Sequence, residues 1–262
     1  MYTNISRYLD QLRTQKPLVH NITNNVVTNT TANALLAIGA SPVMAHASDE
    51  VADMVALADT LVINTGTITR TDLESMIIAV DAAGCLKKPW ILDPVGIGTT
   101  PFRLQANLKL LSYQPSAIRG NASEIITLCT GKPSGKGVDS EQPSESTIVF
   151  LQEKATETRA TIAVTGATDI ITNGRQIARL HNGDPMMTTI TGTGCAATAI
   201  AGAFLAVCPP WDACVAALSC LGIAGEIAAS ISKGPGSLQF NLLDQLYQLN
   251  GPIIEQHLEL EI

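Results

Sequence analysis

The stretch Thr191-Gly192-Thr193-Gly194-Cys195, followed by Ala196-Ala197-Thr198-Ala199-Ile200, carries the strongest local chemistry in the sequence. A glycine-rich turn here opens a long helix of small residues. The first N–H groups of such a helix have no intrahelical partner, and the helix dipole adds positive potential there. That end suits an anion, above all a phosphate. Glycines that only let a turn pack closely are the plainer alternative. Cys195 falls in the first turn, where a thiol pKa drops from about 8.5 towards neutrality. A thiolate beside a phosphate could take the proton of a substrate hydroxyl. Because bound phosphate raises the pKa that the helix end lowers, the thiol is expected to be substantially neutral at rest and to ionise only as transfer proceeds. The other five cysteines read as small buried hydrophobes. Two familiar phosphate patterns fit poorly. Gly131-Lys-Pro-Ser-Gly-Lys-Gly has the wrong glycine spacing for a P-loop, and no Ser or Thr follows its second lysine. Gly192-x-Gly194-x-x-Ala197 fits the loose dinucleotide pattern, but no clean strand precedes it.

A second group of polar residues follows short apolar runs. Leu61–Ile63 leads into Asn64-Thr65-Gly66, Trp90–Leu92 into Asp93-Pro94-Val95-Gly96, Ala117–Ile118 into Arg119-Gly120-Asn121, and Thr161–Val164 into Thr165-Gly166. Ligands of open parallel sheets bind at the carboxyl ends of strands. Turn chemistry accounts for the Gly, Asn and Asp residues, but Arg119 is no turn former. Asp93 and Glu124 are the carboxylates placed for Mg²⁺, which takes one or two carboxylates plus water and substrate phosphates. A turn residue before Pro94 and a capping-box partner of Asn121 are their structural alternatives. Five amides, Asn21, Asn24, Asn25, Asn29 and Asn33, crowd one segment. Amides are poor in helix interiors, so the cluster is expected to line a neutral polar pocket with Val26 and Val27. His20 and His46 read as structural.

The elements that must position these residues alternate. Another apolar run lies at Pro42–Met44, and helical patterns cover 26–38, 49–58, 72–83, 101–112 and 122–130. Strands alternating with helices of 10–15 residues argue for βαβ units, so the fold class is α/β with a mostly parallel central sheet. Ser48 and Asn121 are expected helix caps. Asn173-Gly174 between two apolar runs predicts a small antiparallel hairpin. From Cys195 to the end the chain reads as helical, broken at Pro209-Pro210 and Gly234-Pro235-Gly236. The stretch 132–146 reads as a surface loop inside one domain spanning 1–262.

Composition narrows the function classes. The net charge is −7 with only 16 Lys plus Arg and no basic cluster, so nucleic acid is an unsuitable partner. The six cysteines form no CxxC pair, and the first 16 residues carry no apolar signal core. Both observations favour a cytoplasmic protein with reduced thiols. The apolar stretch from Ala213 to Ile231 contains Glu226 and many small residues, so a buried helix is expected there and no membrane span.

At these residues the sequence resembles the hydroxyethylthiazole kinases, of the ribokinase-like fold. The matching segments are 17–29, GASPVMA at 39–45, ILDPVG at 91–96, AIRGNASE at 117–124, AVTG at 163–166, TGTGC at 191–195 and KGPGS at 233–237. Cys195 is the most specific of them, because most ribokinase-like enzymes carry Asp at this position. The resemblance implies transfer of phosphate from MgATP to the primary hydroxyl of 4-methyl-5-(2-hydroxyethyl)thiazole. It places Arg119 and Thr165 at ATP, and Asp93 and Glu124 around Mg²⁺ and the phosphates. Met44, Asn24, Val26 and the backbone of Gly192 would hold the thiazole alcohol, with Cys195 near its hydroxyl. A homotrimer is implied too. Three rival readings are a kinase of another alcohol such as hydroxymethylpyrimidine, a dinucleotide oxidoreductase, and a nucleotide-binding protein without turnover.

Overall fold

The computed structural model describes residues 4–133 and 145–262. Among these, nine strands form one sheet: β1 (Leu18–Ile22), β2 (Ser41–Val43), β3 (Thr60–Asn64), β4 (Trp90–Asp93), β5 (Ala117–Asn121), β6 (Thr161–Thr165), β7 (Asp169–Thr172), β8 (Ile177–Leu180) and β9 (Leu260–Glu261). The order is β2-β1-β3-β4-β5-β6-β7-β8-β9. The pairings from β2 across to β6 are parallel, and those from β6 to β9 are antiparallel.

Helices cover both faces, which is why the parallel strands read as continuous apolar runs. One face carries α3 (Val51–Leu57), α4 (Arg70–Leu86), α5 (Pro101–Leu111), α6 (Ala122–Thr130) and α7 (Glu145–Thr158). The other carries α1 (Asn4–Gln15), α2 (Thr28–Ile38), α8 (Thr193–Leu205), α9 (Pro210–Ile231), α10 (Pro235–Gln248) and α11 (Gly251–His257). Side chains alternate accordingly: Leu61 and Ile63 enter the first core, Val62 the second. Gly202 in α8 lies directly on Val62, where any side chain would collide. This close approach brings the start of α8 down onto the carboxyl ends of β3 and β4.

The α/β class, the parallel sheet, the hairpin and both C-terminal helix breaks agree with the sequence reading. Several boundaries differ. The segment from Pro17 to Asn29 contains a full strand, β1, whose polar His20 and Asn21 disguise it. Helix α2 begins at Thr28, two residues later than expected. Ser48 does not cap α3, whose N-cap is Glu50 without a side-chain bond. The chain does not end in helix, because β9 pairs antiparallel with β8. The loop at 132–146 and the P-loop-like run at 131–137 lie largely outside the described residues. Helix α9 is long and apolar enough to cross a membrane, yet 78% of its most apolar window is buried inside the protein, as a core helix requires.

Candidate active site

The carboxyl ends of the parallel strands meet the N-terminus of α8, and there the polar groups converge. Strand register sets Asn64 beside Asp93, and Asn121 beside Thr165. A continuous line of side-chain contacts runs through the site. Asn24 Nδ2 lies 3.5 Å from Cys195 Sγ and donates to Asn64 Oδ1 at 2.9 Å. Asn64 Nδ2 donates to Asp93 Oδ2 at 2.8 Å, and Thr198 Oγ1 donates to the same oxygen at 2.7 Å. Arg119 Nη1 stands 3.9 Å from that oxygen, while its Nη2 donates to Thr165 Oγ1 at 2.6 Å.

The backbone explains why glycines flank this line. At Gly192 φ is +91° and a side chain would strike Val27, so only glycine serves there. A side chain at Gly194 would come within 2.7 Å of Arg119 Nη1. The Arg119 guanidinium therefore lies against Gly194 in the first turn of α8, and the cation and the helix N-terminus border one cavity. That cavity holds about 610 Å³, enough for a ligand of nucleotide size, and Thr165, Asp184, Met187 and Leu218 line it with Arg119.

Asp93 is fully buried, and burial pushes its pKa up to about 7, against the opposing pull of Arg119 and with help from the charge of Glu124. Its Oδ1 is buried without a hydrogen-bond partner among the described residues. Buried charge and an orphan oxygen together fit a carboxylate that completes its environment with a cation. Glu124 is engaged already. Its Oε2 accepts from Asn121 N–H at 2.9 Å and its Oε1 from Gly96 N–H at 2.9 Å. The capping box expected from the sequence is present, and the same side chain fastens the loop after Asp93. No group of three or more potential ligand side chains gathers among the described residues. A magnesium ion needs fewer, since phosphate oxygens and water complete its shell.

The neutral resting thiol expected for Cys195 has a cause the sequence did not show: burial raises its pKa to about 11, and the charge of Asp93 adds to the rise. Desolvation outweighs the dipole, so the thiol rests neutral.

The amide cluster also resolves differently. Asn24 reaches the site and Asn25 is exposed, while Asn33 donates to Asn29 and both line a separate small cavity with Thr191 and Thr193. Asn21 is buried on β1 with neither side-chain atom bonded. Val26 is 63% exposed, tied to Asn24 Oδ1 through its N–H. Met44 follows β2, half-buried at the same edge of the sheet. Both stand at the rim, outside the hydrogen-bonded line.

Two contributors went unnoticed in the sequence. Thr198 stands one turn after Cys195 on the same helix face, a spacing that could have revealed it. Arg103 donates to the carbonyls of Thr65, Val95 and Gly66, tying together the loops after β3 and β4. Its place inside α5 offered no signal.

The fold is that of the ribokinase-like proteins: a ribokinase-like superfamily protein from Enterococcus faecalis superposes with a TM-score of 0.63 at 15% identity, over 90% of this chain and 88% of that one. The family is narrower. Residues 9–251 match the model of the hydroxyethylthiazole kinase family. A hydroxyethylthiazole kinase from Granulibacter bethesdensis is 49% identical over 94% of this chain and 90% of its own length. The structure of a hydroxyethylthiazole kinase protein from Pyrococcus horikoshii superposes with a TM-score of 0.92 at 43% identity, covering 98% of both chains. The chain belongs to the hydroxyethylthiazole kinase family.

Proposed function

We propose that the chain transfers the γ-phosphate of ATP to the primary hydroxyl of 4-methyl-5-(2-hydroxyethyl)thiazole, within thiamine biosynthesis or salvage. The observation that carries this is the Arg119 guanidinium seated on the open N-terminus of α8, beside Cys195 and Asn24. Family membership supplies the substrate class.

Phosphoryl transfer depends mainly on positioning and charge stabilisation. In this reading the triphosphate enters the 610 Å³ cavity, where Arg119, steadied by Thr165, and the amides of Gly194 and Cys195 face its oxygens. The thiazole alcohol lies towards Asn24, Val26, Met44 and the Gly192 backbone. Met44 suits a small sulfur-bearing aromatic ring. Asp93, with Glu124 behind it, would hold Mg²⁺, which when bound neutralises phosphate charge. Cys195 orients the attacking hydroxyl through its sulfur. Because the thiol is neutral at rest, the hydroxyl keeps its proton until the new O–P bond forms and the bond to the leaving ADP breaks, and then passes it to an oxygen of the transferred phosphoryl group. The late departure suits the loose transition state of phosphoryl transfer.

The reading extends to one kinase domain over 1–262, cytoplasmic, assembled as a homotrimer. Six free thiols support the reducing compartment. Exposed Val26 at the rim, with Leu36 on α2 and Phe240 and Tyr247 on α10, supports coverage by other copies. The test is ADP release with Mg²⁺ across thiazole, pyrimidine and sugar alcohols. The thiazole alcohol should be the preferred acceptor.

A further inference from the structure

Glu226 is an anomaly in α9. The residues around it, Gly222 to Gly225 and Ala228 to Ala229, are buried and apolar or small. Its carboxylate does not face solvent alone. Oε1 accepts from Gly183 N–H at 2.8 Å, and both oxygens lie 3.2 Å from Asn182 Nδ2. Asn182 in turn is tied to the C-terminal segment. Its Nδ2 donates to the His257 carbonyl at 2.8 Å, and its Oδ1 accepts from Glu259 N–H at 2.9 Å.

Asn182 and Gly183 begin the strap that leaves β8 and forms one wall of the Arg119 cavity, continuing through Asp184 and Met187. Helix α9 is shaped to receive it. A side chain at Gly222 would press on the Asn182 carbonyl at 2.8 Å, and one at Gly225 would collide with the Met187 sulfur. Two glycines and one carboxylate, at i, i+3 and i+4, thus present a single face to the strap. A glycine costs helix stability, and a carboxylate in an apolar helix needs partners. Both costs fall where the strap docks.

We propose that Glu226 is a positioning residue of the nucleotide cavity. It fixes the wall at Asn182–Gly183 and couples that wall to the docked C-terminal strand. The proposal rests on the reading of the Arg119 cavity as the ATP site. Glu226 itself does not line the cavity, so its effect reaches the nucleotide only through the strap.

The test compares Glu226→Ala, Glu226→Gln and Leu218→Trp in the full-length protein. Leu218 lines the cavity and is buried, so a tryptophan there narrows the space. The measurements are ADP affinity by calorimetry without alcohol, then KM for ATP, KM for the alcohol, and kcat. Glu226→Ala should weaken ADP binding and raise KM for ATP by roughly tenfold, the scale of one charge-assisted hydrogen bond. KM for the alcohol and kcat at saturating ATP should change less than about threefold. Glu226→Gln should recover most of the loss, because its amide oxygen still accepts from Gly183. If Glu226→Ala does not fold, Glu226→Leu, which fills the same space but cannot accept from Gly183 N–H, is read in its place. Unchanged ADP binding in Leu218→Trp would remove the nucleotide reading of the cavity. Weakened binding in Leu218→Trp with normal binding in Glu226→Ala, or an equal rise in both KM values, would overturn the role of Glu226 alone.

Discussion

Asp93→Asn should make the protein more stable at pH 8 while removing most of its activity. The carboxyl is fully buried and its pKa is raised from 3.8 to about 7. A group raised in this way favours folding while protonated. Its contribution is fully present below pH 3.8 and is lost as pH rises to about 7. The loss corresponds to on the order of 4 kcal/mol. Asparagine carries no charge, and its amide oxygen can keep both bonds now made to Oδ2 by Asn64 and Thr198. Its NH₂ then falls where Oδ1 has no partner, at a cost of about 1–3 kcal/mol. The net gain at pH 8 is therefore about 1–3 kcal/mol, or roughly 2–10 °C in Tm for a chain of this size. Thermal denaturation without nucleotide or metal, at pH 5 and pH 8, measures it. The wild type should lose stability relative to the variant between those values. A variant less stable than the wild type by the same margin at both pH values would refute the reasoning, since the Arg119 pair would then outweigh burial. The kcat of the variant should fall at least about a hundredfold, because asparagine would hold Mg²⁺ less well and the phosphate charge would lose that stabilisation.

Further outcomes follow from the same geometry. Arg119→Ala should weaken ATP binding by about 1.5–3 kcal/mol, read by calorimetry, and unchanged affinity in a folded variant would leave Arg119 as a partner of Asp93 only. Cys195→Ala should lower kcat by about a hundredfold with ATP affinity nearly intact, because the attacking hydroxyl loses its orienting partner, whereas Cys195→Asp, whose carboxylate can accept from the same hydroxyl, should retain activity. With its pKa near 11, Cys195 should be alkylated by iodoacetamide at pH 8 at least about a hundredfold more slowly than a free thiol; comparable rates would contradict a neutral resting thiol. Light scattering should give a trimer, and a fully active monomer at assay concentration would speak against sites completed between copies.

Much of the fold was legible because its signals are local. Short apolar runs ending in Asn64, Asp93, Arg119 and Thr165 marked the carboxyl edge of the sheet, and Asn173-Gly174 marked the hairpin. What escaped depends on tertiary context. Strand β1 hides behind His20 and Asn21, which face inward although they are polar. Strand β9 is two residues long and exists only because β8 offers it an edge. In the site, the glycine-opened start of α8 and the Asn121–Glu124 capping box followed from residue type and spacing. The cause of the neutral Cys195 thiol did not, since the sequence shows the helix end but not the burial that overrides it. The Asn24–Asn64–Asp93–Thr198 line joins residues up to 174 positions apart, as positions 24 and 198 show, and only packing brings them together.

Steady-state turnover with defined acceptors tests the central claim most directly. Purified protein, ATP and Mg²⁺ are mixed with 4-methyl-5-(2-hydroxyethyl)thiazole, hydroxymethylpyrimidine or a sugar alcohol, and ADP release is followed with the mass of the product. The account predicts ADP formed one for one with thiazole monophosphate, at the highest kcat/KM of the set and lost with Arg119→Ala at low ATP. Equal or better turnover of the pyrimidine or the sugar, or ATP binding without transfer to any of them, would contradict it.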